Sequence, residues 1–249
     1  MIVTNIPNLS TKVQRYTGFT LAEVLITLGI IGIVAALTLP SLVKKNQEKV
    51  LVTQFIKTYS LLNQVYIQTI QENDQPNTWS VTSNNDIVGY FAPYLRVATL
   101  YAPTGGMQGG ASQLGYKTSA VLSLDKSKYG YNHPQLKISE GQTFSFSHPA
   151  SAASGFSCKF NTDMCFLILA DINGNQMPNR FGVDVFLFNA RPNSIVPWVE
   201  SSQCNPGGAT SNWGSIANGY ACGNWILKNR NMDYLKCVDE GQSAYCHTY

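Results

Sequence analysis

From Phe19 to Val43 the chain is almost wholly apolar, and no other stretch restricts its fold as strongly. At about 1.5 Å per helical residue the run reaches roughly 37 Å, enough to cross the hydrocarbon core of a bilayer. It holds one charge, Glu23, near its start. A carboxylate in such surroundings is costly and marks a functional position that needs a partner. The nearest candidate is the α-amine that a cut after Gly18 would place on Phe19. A secretory signal has an apolar region of only about 7–15 residues and small residues at its cut, so it fits neither this length nor Glu23. A plain membrane anchor accounts for the length, but not for Glu23 or for the Gly18 boundary.

The residues before the run, Met1 to Gly18, carry Lys12 and Arg15 and no acid. Basic residues ahead of an apolar span hold their own side in the cytoplasm and send the C-terminal side across. Gly18 precedes Phe19, the apolar run opens Phe19-Thr20-Leu21, Glu23 is the fifth residue after a cut at Gly18 and Pro40 is the twenty-second. In these features the chain resembles the N-terminus of type IV prepilins and type II secretion pseudopilins. The resemblance implies cleavage after Gly18 by a membrane aspartic prepilin peptidase, which then N-methylates Phe19. It further implies an inner-membrane subunit with its head in the periplasm. Such a subunit passes through an assembly platform into a pilus or secretion filament with other pilin or pseudopilin subunits. There, Glu23 of one subunit faces the Phe19 amine of a neighbour, and helix between Gly32 and Pro40 can unwind. The organisation expected is a leader over 1–18, a membrane half of the helix over 19–43, an amphipathic half over 44–73 and a head over 74–249.

Pro40 lies inside the helical stretch, where it removes a backbone donor and crowds the carbonyl of Ala36, so a kink is expected. The polar segment Lys44 to Lys49 suits lipid headgroups. Beyond it Val52, Phe55, Tyr59, Leu62, Tyr66 and Ile70 recur at spacings of three and four, one face of a helix that packs on the head. The helix should stop at Asn73-Asp74-Gln75-Pro76.

The head reads as α+β. A short capped helix is expected over Asn84 to Leu95, and strands over Ala120–Leu124, Leu136–Ile138, Thr143–Ser147, Cys165–Ala170, Val183–Asn189 and Trp225–Lys228, with Glu140-Gly141 as a hairpin turn. One long helix followed by a run of strands argues a helix laid on an antiparallel sheet, which is also what the pilin resemblance implies. Trp225 and Tyr234 are expected as core or rim residues. Cys158, Cys165, Cys204, Cys222, Cys237 and Cys246 all follow the apolar run, an even count that suits disulfides in an oxidising compartment. Six cysteines allow 15 connectivities. Neighbour pairing is the expectation, with 237–246 stapling the C-terminal loop as in pilin relatives.

A second informative stretch runs from Asp171 to Asp184 and continues into Val185-Phe186-Leu187-Phe188; it is similar to a loop-and-strand signature of larger pseudopilin-like proteins. Asp171, Asn173 and Asn175 place oxygens at alternate positions that could converge on a hard cation such as calcium, with Asp184 folding back. The pattern departs from an EF-hand loop, since Gly174 falls early and position 182 is Gly. The competing reading is an Asn-Gly turn whose side chains bond their own backbone.

No required cofactor and no enzymatic activity are expected. The chain lacks the nucleophile-elbow, zinc-helix and dinucleotide motifs, the glycine-rich stretch at 103–110 lacks the Lys of a phosphate loop, and His133, His148 and His247 are scattered. Loss of the leader removes Lys12 and Arg15 and lowers the formal charge from +3 to +1, so the mature chain has no basic footprint for nucleic acid in bulk. The function expected is therefore a structural filament subunit, a minor pilin or pseudopilin. The alternative is a tip subunit that binds DNA, a surface or a secreted substrate through Lys117, Lys126, Lys128, Tyr129 and Tyr131.

Overall fold

A computed structural model of the 249-residue chain describes residues 18–101, 122, 124, 135–147, 158, 164–174, 176–198, 204 and 219–239. The chain divides into two compact units, Met1–Asn46 and Gln47–Tyr249.

The first unit is dominated by the start of helix α1, Leu21–Asn73, which is assigned without a break through Pro40. An 18-residue window of this helix has mean hydropathy 2.3 and none of it is buried, so the helix is long and apolar enough to cross a membrane. Its polar side chains suit that setting. The hydroxyls of Thr27 and Thr38 donate to Glu23 O and Val34 O, both at 2.9 Å, and Ser41 donates to Thr38 O at 3.3 Å. Each hydroxyl therefore donates within its own helix, as hydrocarbon demands.

In the second unit α1 supplies the centre of the core. Val52, Phe55, Leu62 and Tyr66 of the expected stripe are buried, but so are Thr58, Val65 and Thr69, while Tyr59 and Ile70 are only partly buried. The buried face is thus centred one step round from the stripe. Threonine is invisible to a count of apolar positions, yet the Thr69 hydroxyl is satisfied inside the helix by Val65 O at 2.8 Å. The helix ends at Asn73, where Asp74 takes a left-handed φ of 61° and the Trp79 indole donates to the carbonyls of Asn73 and Asp74, both at 3.1 Å. Pro76 follows and prevents continuation.

Helix α2, Asn84–Phe91, starts at Ser83 rather than at an Asn. Its cap is reciprocal, with the Asp86 carboxylate accepting from the backbone N–H groups of Thr82 and Ser83 at 2.7 and 2.8 Å. Those bonds hold the Asp86 carboxyl below its usual range.

The sheet is a meander of six antiparallel strands in chain order: β1 Val97–Leu100, β2 Leu136–Ile138, β3 Thr143–Ser147, β4 Phe166–Asp171, β5 Val185–Arg191 and β6 Ser194–Pro197. Strands β4 and β5 are apolar at nearly every position because both faces are covered. Phe166, Ile168, Phe186 and Phe188 join α1 and α2 in the main core, whereas Leu167, Leu169, Val185 and Leu187 pack with Phe181 and Tyr220 on the other face.

Helix α1 also closes one edge of the sheet. Arg191 pairs with Ser194 and Ala190 with Ile195, so the outward-facing donors of β6 fall at positions 195 and 197. Asn63 accepts the Ile195 N–H at 3.0 Å, and position 197 is proline, which has none. Tyr66 fixes the same hairpin by donating to Arg191 O at 2.5 Å. This edge offers no free donor for pairing with another strand.

One expected strand is a helix. Trp225–Lys228 lies in α3, Cys222–Asn229, followed by α4, Tyr234–Asp239. A short apolar run does not distinguish strand from helix by period. Here Cys222, Trp225 and Ile226 share a buried face, and Gly223 admits the Phe55 ring, whose Cζ would lie 3.2 Å from an added Cβ. Trp225 and Tyr234 are core residues. Strands β1 and β6 were not expected; both are four-residue edge strands whose residue types do not alternate between apolar and polar, although β6 alternates in burial. Of the segment Ala120–Leu124, only Leu122 and Leu124 are described, Leu122 in a bridge to Arg180.

Candidate functional site

Two groups of residues carry the chemistry singled out in the sequence. The first is at the start of α1. Gly18, Phe19 and Thr20 are outside the helix and Phe19 is exposed. Glu23 does not stand alone. Its Oε2 accepts from the backbone N–H and the hydroxyl of Thr20, both at 2.8 Å, while the Glu23 N–H donates to Thr20 Oγ1 at 3.2 Å. This is a capping box, which satisfies otherwise orphaned donors at the helix start. Thr20 was missed as a site residue, although a Thr followed three positions later by Glu before an apolar run is a readable signal. The carboxylate therefore already has a partner within the uncut chain, one residue from where a Phe19 amine would appear. Pro40 and Gly18 make no contact that assigns them a role.

The second group is the loop between β4 and β5. Asp171 and Asp184 are both fully buried. Asp184 Oδ1 accepts from the Arg180 N–H at 2.6 Å, and its Oδ2 from the Asn179 N–H at 2.9 Å and from Asn173 Nδ2 at 3.3 Å. Burial is the larger influence and pushes its carboxyl up to about 6, against the lowering effect of these donors. Asp171 Oδ1 accepts from the Asn173 N–H at 3.3 Å. With the Asn179 amide turned to match its surroundings, its nitrogen donates to Asp171 Oδ2 at 3.2 Å and to Gln176 O at 2.9 Å. Asn173 and Asn179 thus each touch both carboxylates. The structure brings Asp171, Asn173 and Asp184 together; Asn175 lies outside the described residues.

The loop is seated by close backbone approaches. At Gly182, with φ 74°, an added Cβ would come 2.8 Å from Cys222 Sγ, and the Gly182 carbonyl accepts from the buried Tyr234 hydroxyl at 2.6 Å. Cys222 is itself bonded to Cys204, and Cys158 to Cys165. The remaining pair, Cys237 and Cys246, lies outside the described side chains, as do His133, His148, His247 and the basic cluster Lys117, Lys126, Lys128, Tyr129 and Tyr131. Among the described residues no group of three or more His, Cys, Asp or Glu side chains is placed to hold a metal.

In comparison with known proteins, residues 14–39 match the prokaryotic N-terminal methylation motif. That motif is of a structural, pilin-type class and not of an enzyme class. No curated protein and no solved structure matches the chain. A long apolar N-terminal helix, an antiparallel six-stranded sheet and two disulfides make the α+β layout pilin-like, and with the match at 14–39 the chain carries the prepilin-type signature of type IV pilin- and pseudopilin-like proteins.

Proposed function

We propose that the chain is a minor pilin or pseudopilin, a structural subunit of a type IV pilus-like or type II secretion filament. Residues 1–18 are its leader, 19–43 its membrane segment, 44–73 the part of the helix that joins the head, and the remainder the periplasmic head. One observation carries this reading. A Gly18–Phe19 boundary and a capped Glu23 stand at the mouth of an unburied apolar helix, which continues without a break into a helix half that forms protein core. A signal cut near Ala36 would sever this helix in the middle of its apolar half. Prepilin peptidase and methyltransferase activity, an inner-membrane assembly platform and neighbouring subunits are the partners. N-terminal mass spectrometry of the mature protein tests the reading. It should begin at N-methylated Phe19, and Gly18→Leu should leave the precursor uncut. A mature chain starting near Ala36 would overturn it.

A further inference from the structure

We infer that the groove between the second half of α1 and α3 is a docking site for an acidic amphipathic helix of a partner protein, with Arg230 as the charged anchor. This site is independent of the filament role. On the outer face of α1, Ile56, Ser60, Asn63 and Ile67 recur at spacings of four, three and four, the seam into which a second helix packs. Leu227 and Arg230, at the end of α3, form the opposite wall of a groove of about 320 Å³ that lies wholly within the second unit. Ile56 and Leu227 are only partly buried, and Ile67 is 46% exposed. The seam from Ile56 to Ile67 runs about 16 Å, three turns of helix. Asn63 at its floor is already satisfied, accepting from the Ile195 N–H at 3.0 Å and donating to Tyr59 O at 3.1 Å. The polar demand of the groove is therefore concentrated at Arg230.

Arg230 is an unusual residue for its place. It caps α3 in the left-handed region, at φ 55° and ψ 29°, where Gly or Asn is the common choice because a larger side chain is strained. The turn is held from both sides: the Arg230 N–H donates to Ile226 O at 2.9 Å, and Asn231 accepts from the Trp225 indole at 2.8 Å. The fold thus requires a left-handed residue at this position, but among the described residues nothing pairs with the exposed guanidinium. A second exposed cation, Lys57, stands one turn before Ser60 on the same side of α1. Among the described residues no acid lines the groove. Glu72 accepts from the Tyr94 hydroxyl at 2.8 Å, and Asp233 holds Lys236 at 2.7 Å. Glu48, the other acid of this half of α1, is about 12 Å along the helix from Ile56.

Spacing and charge together set the chemistry of the occupant. A seam at helical spacing between two helical walls takes a third helix through apolar side chains three and four apart. An extended segment would need a free sheet edge, and the groove offers none. A guanidinium without a counter-ion takes a carboxylate, through two parallel N–H donors. A basic helix would be repelled by Arg230 and Lys57. The contact is therefore selective for charge and weakened by salt.

The test uses the full mature chain in phosphatidylcholine nanodiscs, with empty discs as the baseline. The probes are two fluorescently labelled peptides of about 18 residues, long enough to form helix, with leucines three and four apart. One carries Glu on its polar face and the other Lys at the same positions; binding is read by anisotropy. Wild type should bind the acidic peptide about tenfold or more tightly than the basic one, and less tightly as salt is raised. Arg230→Gly should weaken the acidic peptide about tenfold. It should nevertheless melt at or above the wild-type temperature, because glycine adopts the left-handed conformation without strain. Ile67→Gln should also weaken the peptide, with its melting temperature unchanged. An acidic peptide that does not bind wild type above the empty-disc baseline, or binds Arg230→Gly equally well, overturns the site. Equal binding of the two peptides overturns the acidic partner. Wild-type discs that sediment as pairs, and separate with Arg230→Gly, would give the groove to a second copy of the chain and overturn the partner helix.

Discussion

Phe55→Ala tests the claim that the second half of α1 is core and not merely a stalk. Phe55 is fully buried, meeting Phe186 edge-on at 4.5 Å between ring centroids and Phe188 at 5.7 Å. Its tip lies against α3 at Gly223, which has no side chain to fill the space it leaves. Truncating a buried Phe to Ala costs about 3–5 kcal/mol, and a site that collapses poorly falls in the upper part of that range. A loss of about 4 kcal/mol corresponds to a melting shift of roughly 8–16 °C for a unit of this size. Urea unfolding of residues 47–249 with disulfides intact, followed by tryptophan fluorescence, measures it directly. The geometry also fixes a coupling. In wild type, Gly223→Ala would place a methyl 3.2 Å from Phe55 Cζ and from Pro197 Cβ, offsetting the helical gain of about 1 kcal/mol. In a Phe55→Leu background the ring contact is relieved while the Pro197 contact remains, so the same change should be less unfavourable there than in wild type. A cost below about 1 kcal/mol for Phe55→Ala, or a Gly223→Ala effect identical in the two backgrounds, would refute the packing argument.

Three further outcomes follow from named contacts. A chain that starts at Gln47 should fold, whereas one that starts at Asp74 should not, since it lacks buried Phe55, Leu62, Val65 and Tyr66; a cooperative melt of the shorter chain would contradict this. Glu23→Val should leave cleavage and membrane insertion intact but lower recovery in sheared filaments, with Glu23→Asp milder because its reach is shorter. Wild-type filament levels for Glu23→Val would make helix packing, and not the carboxylate, the controlling contact. Gly182→Ala forces a side chain at φ 74° into Cys222 Sγ at 2.8 Å and should cost about 1–3 kcal/mol in urea unfolding, and an unchanged midpoint would remove the loop from the C-terminal core.

What the sequence determined by itself is what depends on neighbours along the chain. The apolar run, its solitary carboxylate, the helix stop at Asn73 and the strands with strong β-branched and aromatic content were all legible, because hydropathy, period and turn chemistry act locally. The 20–23 capping box was equally local and went unread. Only tertiary structure decided the rest. Trp225–Lys228 became a helix because Cys222, Trp225 and Ile226 must share a buried face, with Gly223 set against Phe55, and that choice is invisible in a four-residue run. Thr58 and Thr69 entered the core because the folded head covers that side of α1, where the Thr69 hydroxyl also lies 3.4 Å from Tyr90 O. The short edge strands β1 and β6 exist because partners supply their bonds, with Asn63 and Pro197 sealing the outer side of β6. Asp171 and Thr143 are 28 positions apart, and only the β3–β4 register sets them side by side. Spacing along a loop can suggest which carboxylates share a turn, but which donors meet them is settled by what the folded chain buries.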